Sequence, residues 1–553
     1  MQDSNKRLIL AIVLCLLIVI GWSSFAQYMG WVPAPDPKVA EQQREMAQKQ
    51  AEDAAKVQAE AEKAAVLPTF TPSDGKDVVV ESPLYKAVFY TGGGILRSFE
   101  LKKYHVGLTP DSALVNIVDE RTAAVAPMGL VVNGQASWST GKWAMESGDE
   151  QGLNLADGEQ GSLRLNGMVD GMRVQRVLSF SSDSYLITEK VRVVNESPNA
   201  RTLRLGYTVA ADSRNAANDR YDVMRIAWDS DGSLSDESSA DTLQKQGVMA
   251  TGKIFWAGAM STYFMATVLP DNSENMVVKG RVRTTVFRAA LEEPETVIQP
   301  GTTREFSVRY WIGPKERKAL GAVSEELARS VDLGMFSLIA KGLLWLLQIF
   351  YDYVQNWGAA IIMLTIVIKA IFWPLTAKSY SSMEKMKKLQ PHMVAIREKY
   401  KDNKEQMNKE IMGLYKTYGV NPASGCMPIL IQLPVFFGLY QALLTSIELR
   451  HAPFITYLPF TDKLWLADLS SKDPFYITPI IMGVTMFLQQ KMSPPANDAT
   501  QQKIMMFLPI IFTFLFLGFP SGLVIYWLAN NVLSIFQQWL MIRKSKASAA
   551  AAK

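Results

Sequence analysis

Apolar residues are concentrated in six long blocks of this 553-residue chain, and a stretch with a different pattern separates the first block from the others. A helix that crosses the ~30 Å hydrocarbon core of a bilayer needs about 20 mostly apolar residues, because it rises about 1.5 Å per residue. The pattern therefore predicts six transmembrane helices. The blocks are Leu8–Ala26, Trp357–Pro374, Ala423–Ile447, Pro474–Gln490, Ile504–Phe519 and Gly522–Ile542.

The stretch after the first block contains two regions of different character. Residues 27–74 are rich in Ala, Gln, Glu and Lys and offer little to build a core, so we predict a flexible or partly helical linker. In residues 75–318 the pattern changes to alternation with period two, as in the run "MRVQRVLSF", with turn residues between the runs. Such short β-branched and aromatic runs predict one all-β domain, a large sandwich.

The first apolar block has two interpretations. Lys6 and Arg7 precede it, and Ser24-Phe25-Ala26 fits the cleavage site of a secretory signal peptide. Its 19 apolar residues, however, exceed the usual signal core of about 7–15. We favour an uncleaved transmembrane signal anchor at 1–26.

The distribution of charge orients the spans. Residues 378–420 carry ten Lys or Arg against five Asp or Glu, and short loops with such an excess stay in the cytoplasm. Six spans place this loop and both termini in the cytoplasm and the β domain outside. Residues 333–351 are apolar enough for a seventh span, which would place the basic loop outside. We therefore predict an amphipathic helix that lies in the membrane interface there.

The basic loop has helical spacing of apolar residues in both halves, and Asp402-Asn403 between them is a plausible turn. It is predicted to be a helical hairpin. Its methionines are either the apolar seam of a solvated hairpin or an adaptable surface for varied hydrophobic partners.

The predicted segments of the helical region follow in chain order. They are the interfacial helix 333–351, transmembrane helix 2 at 354–376, the cytoplasmic hairpin 378–420, transmembrane helix 3 at 423–447, a periplasmic loop 448–473, transmembrane helix 4 at 474–491, a cytoplasmic loop 492–503, transmembrane helices 5 and 6 at 504–519 and 522–542, and a cytoplasmic tail 543–553.

Composition argues against several kinds of binding and catalytic site. The formal charge of +4 is small for the length and suggests no nucleic-acid partner. The two cysteines, Cys15 and Cys426, lie in separate apolar blocks, and the three histidines lack metal-ligand spacing. No phosphate-binding Gly-rich loop is present. We predict no catalytic residue, cofactor or metal site.

Polar residues inside the apolar blocks are the candidate functional residues. A lysine at the centre of a span costs about 2.5–3.5 kcal/mol, yet Lys369 lies in the second block, and none of the five later blocks contains Asp or Glu. Thr365 shares its helix face, and Tyr526, Asn530, Ser534 and Gln537 form a stripe in the last block.

Two simpler interpretations remain open for these residues. The hydroxyls and amides could serve only as hydrogen-bond partners between helices, and Lys369 could extend to the headgroups. We favour a wet, polar groove that attracts acidic or polar peptide segments and lowers the cost of their passage through the membrane.

Three runs of residues closely resemble the YidC membrane-protein insertases. They are "NPASGCMPILIQLPVFFGLYQAL", "DPFYITPIIMGVTMFLQQKMSP" and "QQKIMMFLPIIFTFLFLGFPSGLVIYWLANNVLSIFQQWL". An anchor followed by a large β domain is similar to the Gram-negative form of this family. The resemblance implies a non-enzymatic insertase and chaperone of the inner membrane whose groove is open to lipid and cytoplasm. The implied groove residues are Lys369, Thr365, Gln432, Tyr526, Trp527, Asn530 and Ser534.

This sequence differs from the family pattern at two groove positions, and the resemblance also implies a set of partners. Lys369 stands where the best-known members have arginine, and Trp527 replaces the second tyrosine of an aromatic pair. The implied partners are nascent membrane proteins, the lipid bilayer and the Sec translocon. The ribosome and the signal recognition particle receptor are further candidates. Two rival functions stay open: a small-solute transporter, and a β-domain enzyme or sugar binder tethered by its spans.

Overall fold

The computed structural model describes residues 67–72, 74–215, 222–401, 403–419, 427–492 and 499–551. The predicted signal anchor at 1–26, most of the predicted linker, and both cysteines lie outside the described residues. Within the helices, side chains are not described at 427–431, 499–505 and 544–551.

The region with period-two alternation forms strands throughout. In chain order they are β1 (Asp77–Glu81), β2 (Tyr85–Tyr90), β3 (Ile95–His105), β4 (Leu114–Val118), β5 (Leu130–Val132), β6 (Gln135–Ala136), β7 (Lys142–Met145), β8 (Leu153–Asn154), β9 (Gln160–Val169), β10 (Met172–Ser181), β11 (Leu186–Val194), β12 (Arg201–Leu203), β13 (Leu205–Asp212), β14 (Arg225–Ser230), β15 (Ser233–Glu237), β16 (Val248–Gly252), β17 (Ile254–Met260), β18 (Phe264–Pro270), β19 (Met276–Arg283), β20 (Val286–Glu292), β21 (Thr296–Ile298) and β22 (Thr303–Pro314).

Two large sheets pack face to face around one core. The nine-stranded sheet has the order β15-β14-β17-β18-β22-β11-β10-β9-β7, and the six-stranded sheet has the order β16-β19-β20-β13-β5-β6. Strands β17 and β18 of the first lie against β13 and β20 of the second. These strands are almost entirely apolar and buried, as expected where both faces of a strand are covered. The prediction of an all-β domain is confirmed.

A five-stranded sheet, β4-β3-β2-β1-β8, and a small pair, β12-β21, complete the domain. One buried arginine, Arg176 on β10, connects the sheets. It pairs with Glu189, donates to the carbonyl of Gly94 beside the five-stranded sheet, and donates from Nη2 to Met128 O at 2.6 Å beside the six-stranded sheet. Because every charge there has a partner, the pair can stay in a dry core.

Short helices punctuate the β domain at Glu120–Ala123, Ser137–Thr140, Ala240–Lys245, Arg317–Val323 and Glu325–Ala328. The last of them packs on β17, where Trp256 Nε1 donates to Glu326 O at 2.9 Å. The chain then becomes helical. The long helices are α1 (Ser337–Val354), α2 (Trp357–Lys399), α3 (Lys404–Thr417), α4 (Met427–Thr445), α5 (Ile477–Met492), α6 (Ala499–Phe516) and α7 (Ser521–Ala551), with a strand pair, β23 (Ile455–Tyr457) and β24 (Leu464–Leu466), between α4 and α5.

The helices have a second hydrophobic core of their own. Helix α7 packs against α2 and α5, and α1 packs against α4. Among the described residues, α2 is the one helix that is both long and apolar enough to cross a membrane, and Met506–Phe516 is a shorter apolar helix.

Helix α2 differs from its predicted boundaries. It runs without a break across 376–378, where the sequence suggested that a span ends and a hairpin begins. Pro374 lies inside the helix and has no N–H to donate. Thr376 Oγ1 donates to the carbonyls of Phe372 and Trp373 at 3.0 and 3.1 Å, so side-chain hydrogen bonds support the backbone there.

Candidate functional site

Lys369 projects from α2 toward α7. Its Nζ donates to Ser534 Oγ at 2.7 Å, and Ser534 Oγ donates in turn to Asn530 O at 2.6 Å. The serine is buried, whereas the lysine is half-buried. Because α2 and α7 pack against each other, a lysine on one helix reaches a hydroxyl on the other.

Gln432 connects a third helix, α4, to the same face of α7. Its Nε2 donates to Asn530 Oδ1 at 2.7 Å and to Tyr526 OH at 3.4 Å. Tyr526, Asn530 and Ser534 are spaced by four residues and therefore share one side of the helix. The structure thus brings five of the seven predicted residues into one polar network between α2, α4 and α7.

The other two predicted residues are placed differently. The Thr365 hydroxyl is buried and donates to Ile361 O of its own helix at 2.7 Å, a bond common for threonine within helices. The Trp527 ring lies among other aromatic rings, with centroids 4.8 Å from Phe436 and 5.2 Å from Phe516. Neither belongs to the network around Lys369.

Thr376 was not predicted to belong to the polar network, and it contacts Gln537, the last residue of the predicted polar stripe on α7. Gln537 Nε2 donates to Thr376 Oγ1 at 2.7 Å. The signal that could have identified Thr376 is its spacing of seven residues, about two helical turns, from Lys369, which places both residues on one face of α2. Together these residues extend the polar contacts between α2 and α7 by two turns beyond Lys369.

The electrostatics of the site are those of a cation held by neutral groups. Among the described residues, no carboxylate oxygen lies within 4.0 Å of Lys369 Nζ. Within that same set, no cluster of three or more His, Cys, Asp or Glu side chains could hold a metal ion. The ammonium, amides and hydroxyls can bind polar or acidic groups.

Comparison with known proteins identifies the family. Residues 77–346 match the family described as "YidC periplasmic domain", and residues 349–548 match "60Kd inner membrane protein". A "Membrane protein insertase YidC" of Nitratidesulfovibrio vulgaris is 54% identical over 541 residues, which cover 98% of this chain and 100% of the relative. The relative of the same name in Lawsonia intracellularis is 49% identical with the same coverage.

The chain belongs to the YidC family of membrane protein insertases.

A solved structure titled "Active YidC insertase crystal structure with the first transmembrane domain resolved" is 19% identical, with a TM-score of 0.35 over 86% of this chain and 94% of that one. The assignment to the YidC family rests on the sequence relatives. It makes the protein an inner-membrane insertase with a periplasmic β domain, and it confirms the expectation of a non-enzymatic function.

Proposed function

We propose that this YidC-family insertase moves the polar part of an entering segment through a groove between α2, α4 and α7. The observation that carries the proposal is the contact of Lys369 with the Ser534 hydroxyl, in surroundings where no described carboxylate neutralises it. A charge at mid-membrane costs about 2.5–3.5 kcal/mol, so a fixed cation that attracts acidic residues lowers the barrier to their passage. The apolar part of the segment then leaves sideways into lipid.

The proposed groove has seven residues with different tasks. Lys369 attracts charge, and Gln432, Asn530 and Ser534 offer polar contacts between the helices. Thr365 and Trp527 shape the walls, since the threonine hydroxyl bonds its own helix and the indole lies in an aromatic cluster. Tyr526 presents a phenol beside Gln432.

The proposed topology has six spans, cytoplasmic termini and α3 with the end of α2 as a cytoplasmic hairpin. Contacts of residues 448–473 with the N-terminal ends of α2, α5 and α7 support it, because this topology places those three ends on the periplasmic side. In the hairpin, Tyr415 OH donates to Met393 Sδ at 3.6 Å. The exposed stripe of α1 contains Lys341 and Asp352 beside Leu338 and Trp345, which suits a helix lying in the interface.

Partners follow from this arrangement. We propose that the hairpin receives nascent membrane proteins and that the insertase works alone or beside the Sec translocon. The ribosome and the signal recognition particle receptor are further candidates for the basic hairpin and tail.

The test is insertion of a short single-span protein with an acidic translocated tail into liposomes that contain the purified protein. We expect Lys369→Arg to retain activity, Lys369→Ala to lose most of it, and Lys369→Glu to lose more. Lys491→Ala, which removes a cation stacked 4.8 Å from the Phe487 ring at the end of α5, is the matched control and should be active. Equal activity of all variants would reject the role of the groove cation.

Deleting residues 75–315 separates the rival functions. An insertase whose work is done in the helical region retains much of its activity without the β domain. A β-domain enzyme or sugar binder with spans as its anchor retains none. Flux of a small solute that depends on Gln432 and Asn530 would instead support a transporter.

A further inference from the structure

The segment between α4 and α5 has a rigid base built on two buried aspartates. Asp468 accepts hydrogen bonds from the backbone N–H groups of His451 and Ser470, at 3.0 and 2.9 Å. Asp473 accepts from Trp465 Nε1 at 3.0 Å and from Thr478 N at 2.7 Å. Carboxylates with several backbone donors fix a loop in one conformation, so this base is rigid.

The base is fastened to the ends of three helices. Phe454 O accepts from Asn356 Nδ2, the N-cap of α2, at 3.1 Å, and a Cβ on Gly358 would lie 2.2 Å from the Phe454 ring. Leu469 O accepts from Gly522 N in the first turn of α7 at 3.0 Å. Thr478, which Asp473 caps, lies in the first turn of α5. The base therefore holds the hairpin of β23 and β24 at one end of the helical bundle.

The hairpin formed by β23 and β24 carries an aromatic residue at its tip. Thr461 N donates to Leu458 O at 3.0 Å, which closes a turn with Pro459 and Phe460 at its centre. Phe460 has φ +67°, a left-handed conformation that normally selects glycine at this place after proline. Its side chain is fully exposed. A phenylalanine here serves neither the turn nor the core of the protein.

Other exposed aromatic residues lie at the same end of the bundle. Tyr457 on β23 is 56% exposed, and Tyr353, three residues before the N-cap of α2, is 80% exposed. Tyr476 precedes α5 and is followed one turn later by exposed Ile480 and Ile481 on its apolar surface. Aromatic residues collect in this way at membrane–water interfaces, where the ring is buried and the polar end stays wet.

We propose that the Phe460 hairpin tip, residues 458–463, inserts into the headgroup region of the outer leaflet and fixes the depth of the helical bundle in the membrane. The occupant is lipid rather than a protein partner, because one member of the aromatic set, Tyr476, leads directly into the exposed apolar surface of α5. Asp462 and Lys463 are one acid and one base, so apolar insertion rather than attraction to anionic lipid drives the contact. The inference rests on the six-span arrangement proposed above.

The test uses the full chain with Cys15→Ser and Cys426→Ser, reconstituted into liposomes of neutral lipid. A nitroxide spin label is attached at Phe460→Cys, and its accessibility to oxygen, which concentrates in lipid, is compared with its accessibility to a water-soluble nickel chelate. Two labelled controls calibrate the scale. Asp241→Cys on an exposed short helix of the β domain reports water, and Phe514→Cys on the exposed face of α6 reports the bilayer. Asp462→Cys is the neighbouring control on the tip.

The expected result is an oxygen preference at position 460 that lies between those at 241 and 514, with position 462 more accessible to nickel than 460. Equal nickel accessibility at 460 and 241 would place the tip in water and reject the proposal. Shielding from both reagents would mean that protein covers the tip, which also rejects it. Nickel access at 514 as high as at 241 would overturn the six-span proposal and this inference with it.

Discussion

Lys369 is hydrogen-bonded to a hydroxyl, and no carboxylate of the described residues forms an ion pair with it. Ser534 Oγ accepts a hydrogen bond from the ammonium of Lys369 at 2.7 Å and donates its own hydrogen bond to Asn530 O at 2.6 Å. A neutral partner orients the ammonium and leaves its full charge to act on a passing chain. A carboxylate partner would have neutralised it. This distinction makes Ser534 a positioning residue for the proposed mechanism.

Replacing Ser534 with Ala should lower the insertion rate of the substrate with an acidic tail about threefold. The estimate follows from ~0.6 kcal/mol for an average hydrogen bond between membrane helices. Ser534→Thr keeps a hydroxyl and should retain activity. Both variants are also measured with a substrate whose tail is neutral. If Ser534 acts by orienting the Lys369 ammonium, Ser534→Ala should affect the acidic substrate more than the neutral one. A loss of equal size on both substrates would contradict the positioning role.

A second lysine, Lys315, is buried where the β domain meets its covering helices. Its Nζ donates to Ser261 O at 3.2 Å. Burial, and then the Arg225 guanidinium, lower the pKa of Lys315 to about 7 from the usual 10.5, against smaller opposing effects of Asp222, Asp332 and Asp236. The unfolded chain therefore binds a proton that the native chain lacks between those pH values, so native stability rises with pH across this window.

Lys315→Met should consequently be more stable than the unchanged protein at pH 7 and below. Its advantage should shrink as the pH rises toward 10, by up to about 4 kcal/mol at about 1.4 kcal/mol per pKa unit. Thermal unfolding of the full chain in detergent at a series of pH values measures the difference, in which other titrating groups cancel. An advantage that is constant with pH would show that Lys315 has the same pKa in the folded and unfolded chain, and it would contradict the lowered pKa.

For individual residues, the sequence predicted which side chains share a helix face but not which partners they contact. The four-residue spacing of Tyr526, Asn530 and Ser534 correctly put them on one face of α7. The spacing could not show that Thr365 would bond its own helix, because a threonine hydroxyl has a backbone acceptor four residues away in any helix. Nor could it show that Trp527 would join an aromatic cluster, because the cluster forms only where α4, α6 and α7 pack together.

Among the elements, α2 shows what hydropathy predicts and what it misses. The apolar block at Trp357–Pro374 correctly indicated a helix, but hydropathy changes at residue 376 while the backbone continues to Lys399. A change from apolar to charged residues marks where the surroundings change, and hydrogen bonding decides where a helix ends. Thr376, which donates to Phe372 O and accepts from Gln537 of α7, lies within the unbroken helix at that change.

The N-terminus of α5 depends on Asp473. Replacing it with Ala leaves four donors without their acceptor: Trp465 Nε1, Phe475 N, Thr478 N and Thr478 Oγ1. We expect a loss of about 3 kcal/mol or more, because each buried unpaired donor costs ~1–3 kcal/mol.

Asp473→Asn retains one carbonyl acceptor and should lose less. Thermal unfolding of both variants in detergent compares them. An exposed aspartate, Asp462→Ala, is the matched control and should be neutral. Equal midpoints for Asp473→Ala and the unchanged protein would contradict the cap.

Over the whole molecule, the β domain and the helices share a boundary held by few polar contacts. Arg450 Nη2 donates to His105 O at 2.9 Å, and the same guanidinium lies 5.3 Å from the Phe264 ring centroid. Gln441 Nε2 donates to Asp332 O at 3.0 Å. Apolar residues from the helices, Ala442 among them, extend the core of the β domain. The sequence predicted two kinds of domain but had no pattern that could indicate this joint.

Arg450→Ala should weaken the joint and lower the stability of the full chain by about 1.5–3 kcal/mol, the usual contribution of a hydrogen bond to a charged group. Arg450→Lys keeps the charge but cannot contact both His105 O and the Phe264 ring as the guanidinium does. Its stability should lie between those of Arg450→Ala and the unchanged protein. Arg543→Ala, which removes an exposed arginine stacked on Trp539, is the control. The rate of protease cleavage near 315–336 reports opening of the joint, and an unchanged rate in Arg450→Ala would contradict its role.

The contact of Arg450 with His105 bridges 345 positions of the chain. During synthesis the entire β domain leaves the ribosome before the residue that secures it exists. Domains fold as units in the order in which they emerge, so the β domain must first reach a stable form with that edge unclosed. In the proposed six-span topology, closure then waits for the third span, which ends just before Arg450, to enter the membrane. The maturation of each new insertase therefore ends with the same kind of event that the family performs for other proteins, the placement of a helix in lipid.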